Sequence, residues 1–260
     1  MVTHVKNLYQ YRDMLLMWIF REIRVRYKQS FLGAAWAILQ PLVLMLMFTT
    51  VFSLMAKFPT DGIPYPVFSY TALLPWTLFA TSVSFGVSSL INNLNLVTKT
   101  YFPREVLPMG VVGAAIFDYL IASTIFFVML LIYDIPITIH FLWIPALLVI
   151  QIFLMLGVIL LGAALTVFYR DIRFVVPLGV QLWLYATPII YPVSLVPERL
   201  RTLYMLNPMA GIVESYRQVL LRGEPPVFSD LAVTTAVSVI LFFVSYAIFK
   251  RLEVSFNDII

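Results

Sequence analysis

Phe141-Leu-Trp-Ile-Pro-Ala-Leu-Leu-Val-Ile-Gln-Ile-Phe-Leu-Met-Leu-Gly-Val-Ile-Leu-Leu-Gly-Ala-Ala-Leu-Thr-Val-Phe168 runs for 28 positions without an ionisable side chain. As a helix it rises about 42 Å, more than the roughly 30 Å of hydrocarbon in a bilayer. A run of this length reads as a membrane span, not as the core helix of a soluble domain. Directly after it comes the charged turn Tyr169-Arg-Asp-Ile-Arg173. The same alternation of apolar span and basic turn recurs along the chain. Over all 260 residues, 62% are hydrophobic and 12% charged, whereas roughly a quarter of a soluble domain is charged. The fold class is therefore all-α integral membrane.

Six transmembrane helices are predicted, at about 33–56, 67–91, 109–133, 141–168, 174–191 and 230–249. An even count puts both termini on one side, and the excess of Lys and Arg in short loops identifies that side as cytoplasmic. The inner segments then hold Lys6, Arg12, Arg21, Arg24, Arg26, Lys28, Lys99, Arg104, Arg170, Arg173, Lys250 and Arg251. The outer segments hold Lys57, Arg199, Arg201, Arg217 and Arg222. The whole chain, 1–260, is expected to form one transmembrane domain.

Two segments are neither spans nor ordinary loops. In 5–28, Tyr11, Leu15, Ile19, Ile23 and Tyr27 recur every fourth residue, while Gln10, Asp13, Arg21, Arg24 and Lys28 gather elsewhere. This predicts an amphipathic helix in the interface plane, its basic residues toward anionic membrane lipids. In 195–222, two short helices broken at Asn207-Pro208 are expected, because proline disfavours helix at the preceding residue. A re-entrant outer hairpin between the fifth and sixth helices fits this pattern; an amphipathic helix resting on the outer surface is the alternative.

Several chemistries are excluded. With no cysteine, thiolate nucleophiles and Cys-based metal sites are impossible. No glycine is followed by lysine, so the phosphate-binding Gly-x-x-x-x-Gly-Lys-Ser/Thr loop is absent and the chain itself binds no ATP in that manner. His4 and His140, the two histidines, fall on opposite sides of the predicted membrane, which argues against a metal site or a His-based catalytic pair. The basic residues are spread over turns instead of forming the stripe that nucleic acid requires. No catalytic residue is expected. Asp118 is the one acid placed well within lipid depth, with no basic residue expected at that depth; a functional carboxylate and one simply hydrogen-bonded to a neighbouring helix both remain open.

Two groups of residues carry candidate function. Aromatic rings at Trp36, Phe48, Trp183 and Tyr185 suit a conduit for carbohydrate, since a ring offers an apolar face to sugar C–H groups. Membrane-belt or packing roles compete with that reading. In the inner loops, Lys99 and Phe102-Pro103-Arg104-Glu105 belong to a short surface helix within 92–108, and Arg170 and Asp171 repeat an aromatic, Arg and acid combination in the next inner turn. Phe102 is expected as an insertable knob beside Arg104 and Glu105.

At these residues the chain resembles the permease subunit of an ABC-2 type ATP-binding-cassette exporter, and within that group the O-antigen, capsule and teichoic-acid permeases. The resemblance rests on Gly33-Ala-Ala-Trp36 through Gln40-Pro41, Leu96-Val-x-Lys99-x-x-Phe-Pro-Arg-Glu-Val-Leu-Pro108, Tyr169-Arg-Asp-Ile172, Thr187-Pro-Ile-Ile-Tyr191 and Leu206-Asn-Pro208. It implies a type V exporter fold and a homodimer in a bacterial inner membrane, with a conduit lined largely by the first and fifth spans. It also implies two separate ATPase subunits that bind ATP and Mg and receive the 92–108 loop as a coupling helix, and a lipid-linked glycan as substrate. An ABC-2 drug exporter would share the inner-loop logic. An ion-coupled secondary transporter would need paired intramembrane charges or inverted repeats.

Overall fold

The computed structural model describes residues 10–55, 60, 62–99 and 102–256. His4, residues 5–9 of the predicted N-terminal helix, residue 56 of the first span, Lys57, and residues 100–101 of the first inner loop lie outside these. Among the described residues every regular element is helical. They are α1 (Arg12–Tyr27), α2 (Trp36–Phe48, continued by a wider turn over Thr49–Met55), α3 (Tyr65–Gly86), α4 (Leu94–Lys99) and α5 (Val106–Ile132), followed by α6 (Ile144–Phe168), α7 (Ile172–Tyr185), α8 (Glu198–Tyr204), α9 (Pro208–Arg217) and α10 (Phe228–Glu253).

Among the described residues four helical stretches are long and apolar enough to cross a membrane: Gly33–Ser53, Val106–Ile132, Ile139–Phe168 and Phe228–Glu253. Tyr65–Gly86 makes a fifth only together with Ile91–Lys99, beyond a 52° bend. Its weaker apolar signal has a physical cause, because 16 of its 22 residues are buried. Packed against α2, α5, α6, α7 and α9, α3 meets protein instead of lipid and tolerates Ser69, Thr71 and Ser82. The predicted fifth span, 174–191, is shorter as a helix. It ends at Tyr185, just before Thr187-Pro188, where proline disfavours helix at the residue ahead of it.

α1 does not stand free. Its four-residue stripe is the half-buried face, and it lies along the first half of α5. A Cβ at Gly110 would overlap the Trp18 indole and one at Gly113 the Ile19 side chain, so these glycines are the notches into which α1 fits. Arg12, Arg21, Arg24 and Lys28 remain exposed. Small residues serve α10 in the same way. Its buried Thr234, Ser238 and Ser245 carry little bulk, and Gly157 of α6 meets the backbone of Leu241 and Phe242, as expected of helices that associate by close approach in lipid. Gln151, the polar interruption of the long α6 run, is fully buried and donates to the Pro75 carbonyl at 2.6 Å.

Contacts between distant segments sort the helix ends into two sets. At one end Phe168 meets Phe256 and Arg104 meets Glu253. At the other, Trp143 packs on Phe228 and the Tyr65 hydroxyl donates to the Ile190 carbonyl.

Candidate functional site

α2 and α7 both leave much of their apolar surface uncovered. Val180 is the one buried residue of α7, and Phe174, Val175, Leu178, Leu182 and Tyr185 are exposed. On α2, Trp36, Leu39, Val43, Leu46 and Met47 are exposed likewise. Between these helices, and closed behind by α1, α3 and α5, lies a cavity of about 480 Å³. That size falls in the range of small-ligand sites, roughly 300–1,000 Å³. Its lining includes Trp36 and the nearly buried Trp76 together with Gln40, Thr77, Thr81, Ser84 and Gln181. Gln40 stands one helical turn beyond Trp36, so both reach the same side of α2. Flat apolar rings interleaved with amides and hydroxyls suit a ligand with C–H faces and many O–H groups.

Asp118 closes the cavity from α5. Its carboxylate is ion-paired with Arg26 and accepts a hydrogen bond from the Tyr27 hydroxyl. The sequence gives no basic residue at the depth of Asp118, yet α1 delivers one by running along α5. Asp118 is a neutralised, docking carboxylate.

At the opposite end Asn207 organises the exit from α7. Its side chain caps α9 by accepting from the Met209 amide at 3.1 Å and also accepts from the Trp183 indole at 2.9 Å. Its amide donates to the Ala186 carbonyl at 3.0 Å and to the Thr187 hydroxyl at 3.2 Å. All ten residues of α9 are buried, so this helix is packed within the protein and not laid on its surface. Arg217, at its end, stacks on the Phe68 ring at 3.6 Å and donates to the Ile189 carbonyl at 3.0 Å. Burial pulls its pKa down to about 10, with Glu214 acting in the opposite direction, so it stays cationic at neutral pH. Burial, and then the hydrogen bond with Tyr191, push the Tyr204 phenol up.

The turn before α5 is held by α10. Lys250 pairs with Glu105 at 2.7 Å and with Glu253 at 2.8 Å. The Arg104 guanidinium donates to the Glu253 carbonyl at 2.6 Å and lies over the Phe256 ring at 5.5 Å. Phe256 is fully buried between Phe249 and Phe168.

A helical bundle with a polar cavity between two exposed helices occurs in many membrane proteins, so sequence relatives decide the family. The ABC-2 type transporter model matches residues 15–221. The chain belongs to the ABC-2 type transporter family. It is 34% identical to the O-antigen export system permease protein RfbA of Myxococcus xanthus over 99% of both chains. A protein of the same name from Klebsiella pneumoniae is 30% identical over 95% of each. The polysialic acid transport protein KpsM of Escherichia coli is 22% identical over 90% of this chain and 91% of its own.

The residues singled out in this ABC-2 sequence divide by position. Trp36, 45% exposed, lines the cavity, and Tyr185 is 66% exposed on α7. Phe48 instead is 5% exposed and packs edge-on to Phe52. Trp183 packs edge-to-face with Phe79 at 5.2 Å and commits its N–H to Asn207. In the inner turns Lys99, Arg170 and Asp171 are exposed, and Pro103 and Arg104 half-buried. Phe102, 5% exposed, and Glu105, 1% exposed, face inward. Within the chain the core takes the Phe102 ring and Lys250 pairs with the Glu105 carboxylate. Gln40 and Gln181 also line the cavity, and in the sequence each stands as a lone amide on an apolar span.

Proposed function

We propose that this chain is the transmembrane subunit of an ATP-driven exporter that moves a lipid-linked, O-antigen-like polysaccharide outward across the bacterial inner membrane. The observation that carries the reading is the cavity between α2 and α7, lined by Trp36 and Trp76 together with amide and hydroxyl side chains. The names of relatives aligned over nearly the full chain support a polysaccharide over a drug. Two copies join through the uncovered faces of α2 and α7, with Trp36, Gln40, Gln181 and Tyr185 toward the path. α7 and the turn beyond it complete a six-span type V arrangement, and α8 with α9 forms a re-entrant outer hairpin. Both termini are cytoplasmic.

The chain makes and breaks no bond. Two separate ATPase subunits bind ATP and Mg, dock against Lys99, Arg104, Arg170 and Asp171, and bias the permease between two conformations. Depleting the chain in its host tests this. The expected result is a lipid-linked glycan accumulating on the cytoplasmic leaflet while synthesis continues; normal surface glycan after depletion contradicts the reading.

A further inference from the structure

The contacts of α10 join places that the chain separates widely. Glu105 lies 145 residues before Lys250, and both are largely withdrawn from solvent. Tyr246, one turn back along α10, sets its hydroxyl 3.4 Å from the other Glu105 oxygen. The Arg104 amide faces the Glu253 carboxylate at 3.4 Å. A few residues on, Phe256 packs edge-to-face with Phe168, at the foot of the second inner turn. The end of α10 therefore grips both inner turns together.

From there α10 continues for 26 residues, about 39 Å of unbroken helix. It packs along α6 and then against α9, where Thr234 fills the notch at Gly211. α9 in turn holds the turn that follows α7 through Arg217 and the Ile189 carbonyl. Rigid, packed elements transmit displacement where loops absorb it.

We infer that Lys250 and Glu105 are positioning residues for energy coupling: their ion pair clamps the inner turns to α10, which carries their displacement to α9 and the outer end of the conduit. The inference rests on the proposed docking of ATPase subunits at these turns. It assigns Glu105 an inward role, as the joint behind the contact surface and not part of it. A charged joint suits this place, because a buried carboxylate stripped of its cation is costly, so turn and helix move as one.

The test uses the chain with its ATPase subunit, reconstituted together. Glu105→Gln keeps the side chain's shape and one accepting oxygen and removes its charge. Lys250→Met removes the cation. The expected result for both is unchanged co-purification with the ATPase, basal ATP hydrolysis within about twofold of wild type, and at least tenfold less glycan exported per ATP hydrolysed. The exchange Glu105→Lys with Lys250→Glu keeps one base between two acids, since Glu253 remains, and is expected to restore export to within about threefold. Export at the wild-type ratio in both single variants overturns the inference. So does loss of ATPase binding in Glu105→Gln, which would put the carboxylate in the contact itself. A wild-type chain that captures no ATPase overturns the proposed docking, and the coupling role with it.

Discussion

The Arg26 guanidinium at the end of α1 is ion-paired with the Asp118 carboxylate of α5, 92 residues later in the chain. Each side chain is less than a fifth exposed. The pair cancels a charge that lipid would not accept and, with the Trp18 and Ile19 contacts, fixes where α1 lies. Removing one member leaves the other buried and uncompensated, which costs about 3 kcal/mol or more. Asp118→Ala should accordingly lower the thermal midpoint of the detergent-solubilised protein clearly. The double variant Arg26→Met with Asp118→Leu, which leaves no lone charge, should recover most of the loss. Equal midpoints for Asp118→Ala and wild type would remove the docking role from this pair.

Small residues on α5 are expected to matter as much as that charge. Gly113→Leu fills the notch occupied by Ile19, and overpacking of this kind typically costs about 1–3 kcal/mol. The absence of native cysteine makes a single-label experiment clean. A cysteine at Ile19 should react slowly with a water-soluble maleimide in the native background and at least tenfold faster beside Gly113→Leu. Equal rates would mean that α1 is held by other contacts.

Trp183 and Tyr185 should respond in opposite ways. Trp183→Phe keeps a ring against Phe79 and gives up the hydrogen bond to Asn207, a loss of about 1 kcal/mol in stability. Asn207→Ala removes the α9 cap and the contacts to Ala186 and Thr187 together, and should cost about 2 kcal/mol or more. Tyr185→Ala, at an exposed position, should leave stability within about 0.5 kcal/mol and reduce export. Thermal unfolding and surface glycan, measured on the same variants, separate the two behaviours.

Gln40→Leu and Gln181→Leu exchange cavity amides for apolar groups of similar size. They are expected to leave insertion and assembly intact and to lower export of a hydroxyl-rich substrate severalfold, with the double variant lower still. Unchanged export in the double variant would move the glycan path away from this cavity.

How much of this was legible in the sequence depends on the range of the force involved. Lipid demands long apolar runs, so the helices of 106–132, 139–168 and 228–253 stand out in composition alone. The break at Asn207-Pro208 is local chemistry and is equally visible. The stripe Tyr11, Leu15, Ile19, Ile23 and Tyr27 announces a buried face, but not that α5 covers it. Charged partners are the least legible. Nothing beside Glu105 indicates that its cation is Lys250, and nothing near Asp118 points to Arg26, because the fold supplies both partners from far along the chain. Phe102 and Glu105 therefore read as surface features, while the structure places them inside.

If the cavity between α2 and α7 belongs to a path for glycan powered by a separate ATPase, transport must depend on both proteins. The most direct measurement is outward movement of a lipid-linked glycan in proteoliposomes containing this chain with and without its ATPase subunit. ATP-dependent movement is expected only with both present, abolished when the ATPase is inactivated and reduced by Gln40→Leu with Gln181→Leu. Movement at the same rate by this chain alone, or ATP hydrolysis by this chain alone, would contradict it.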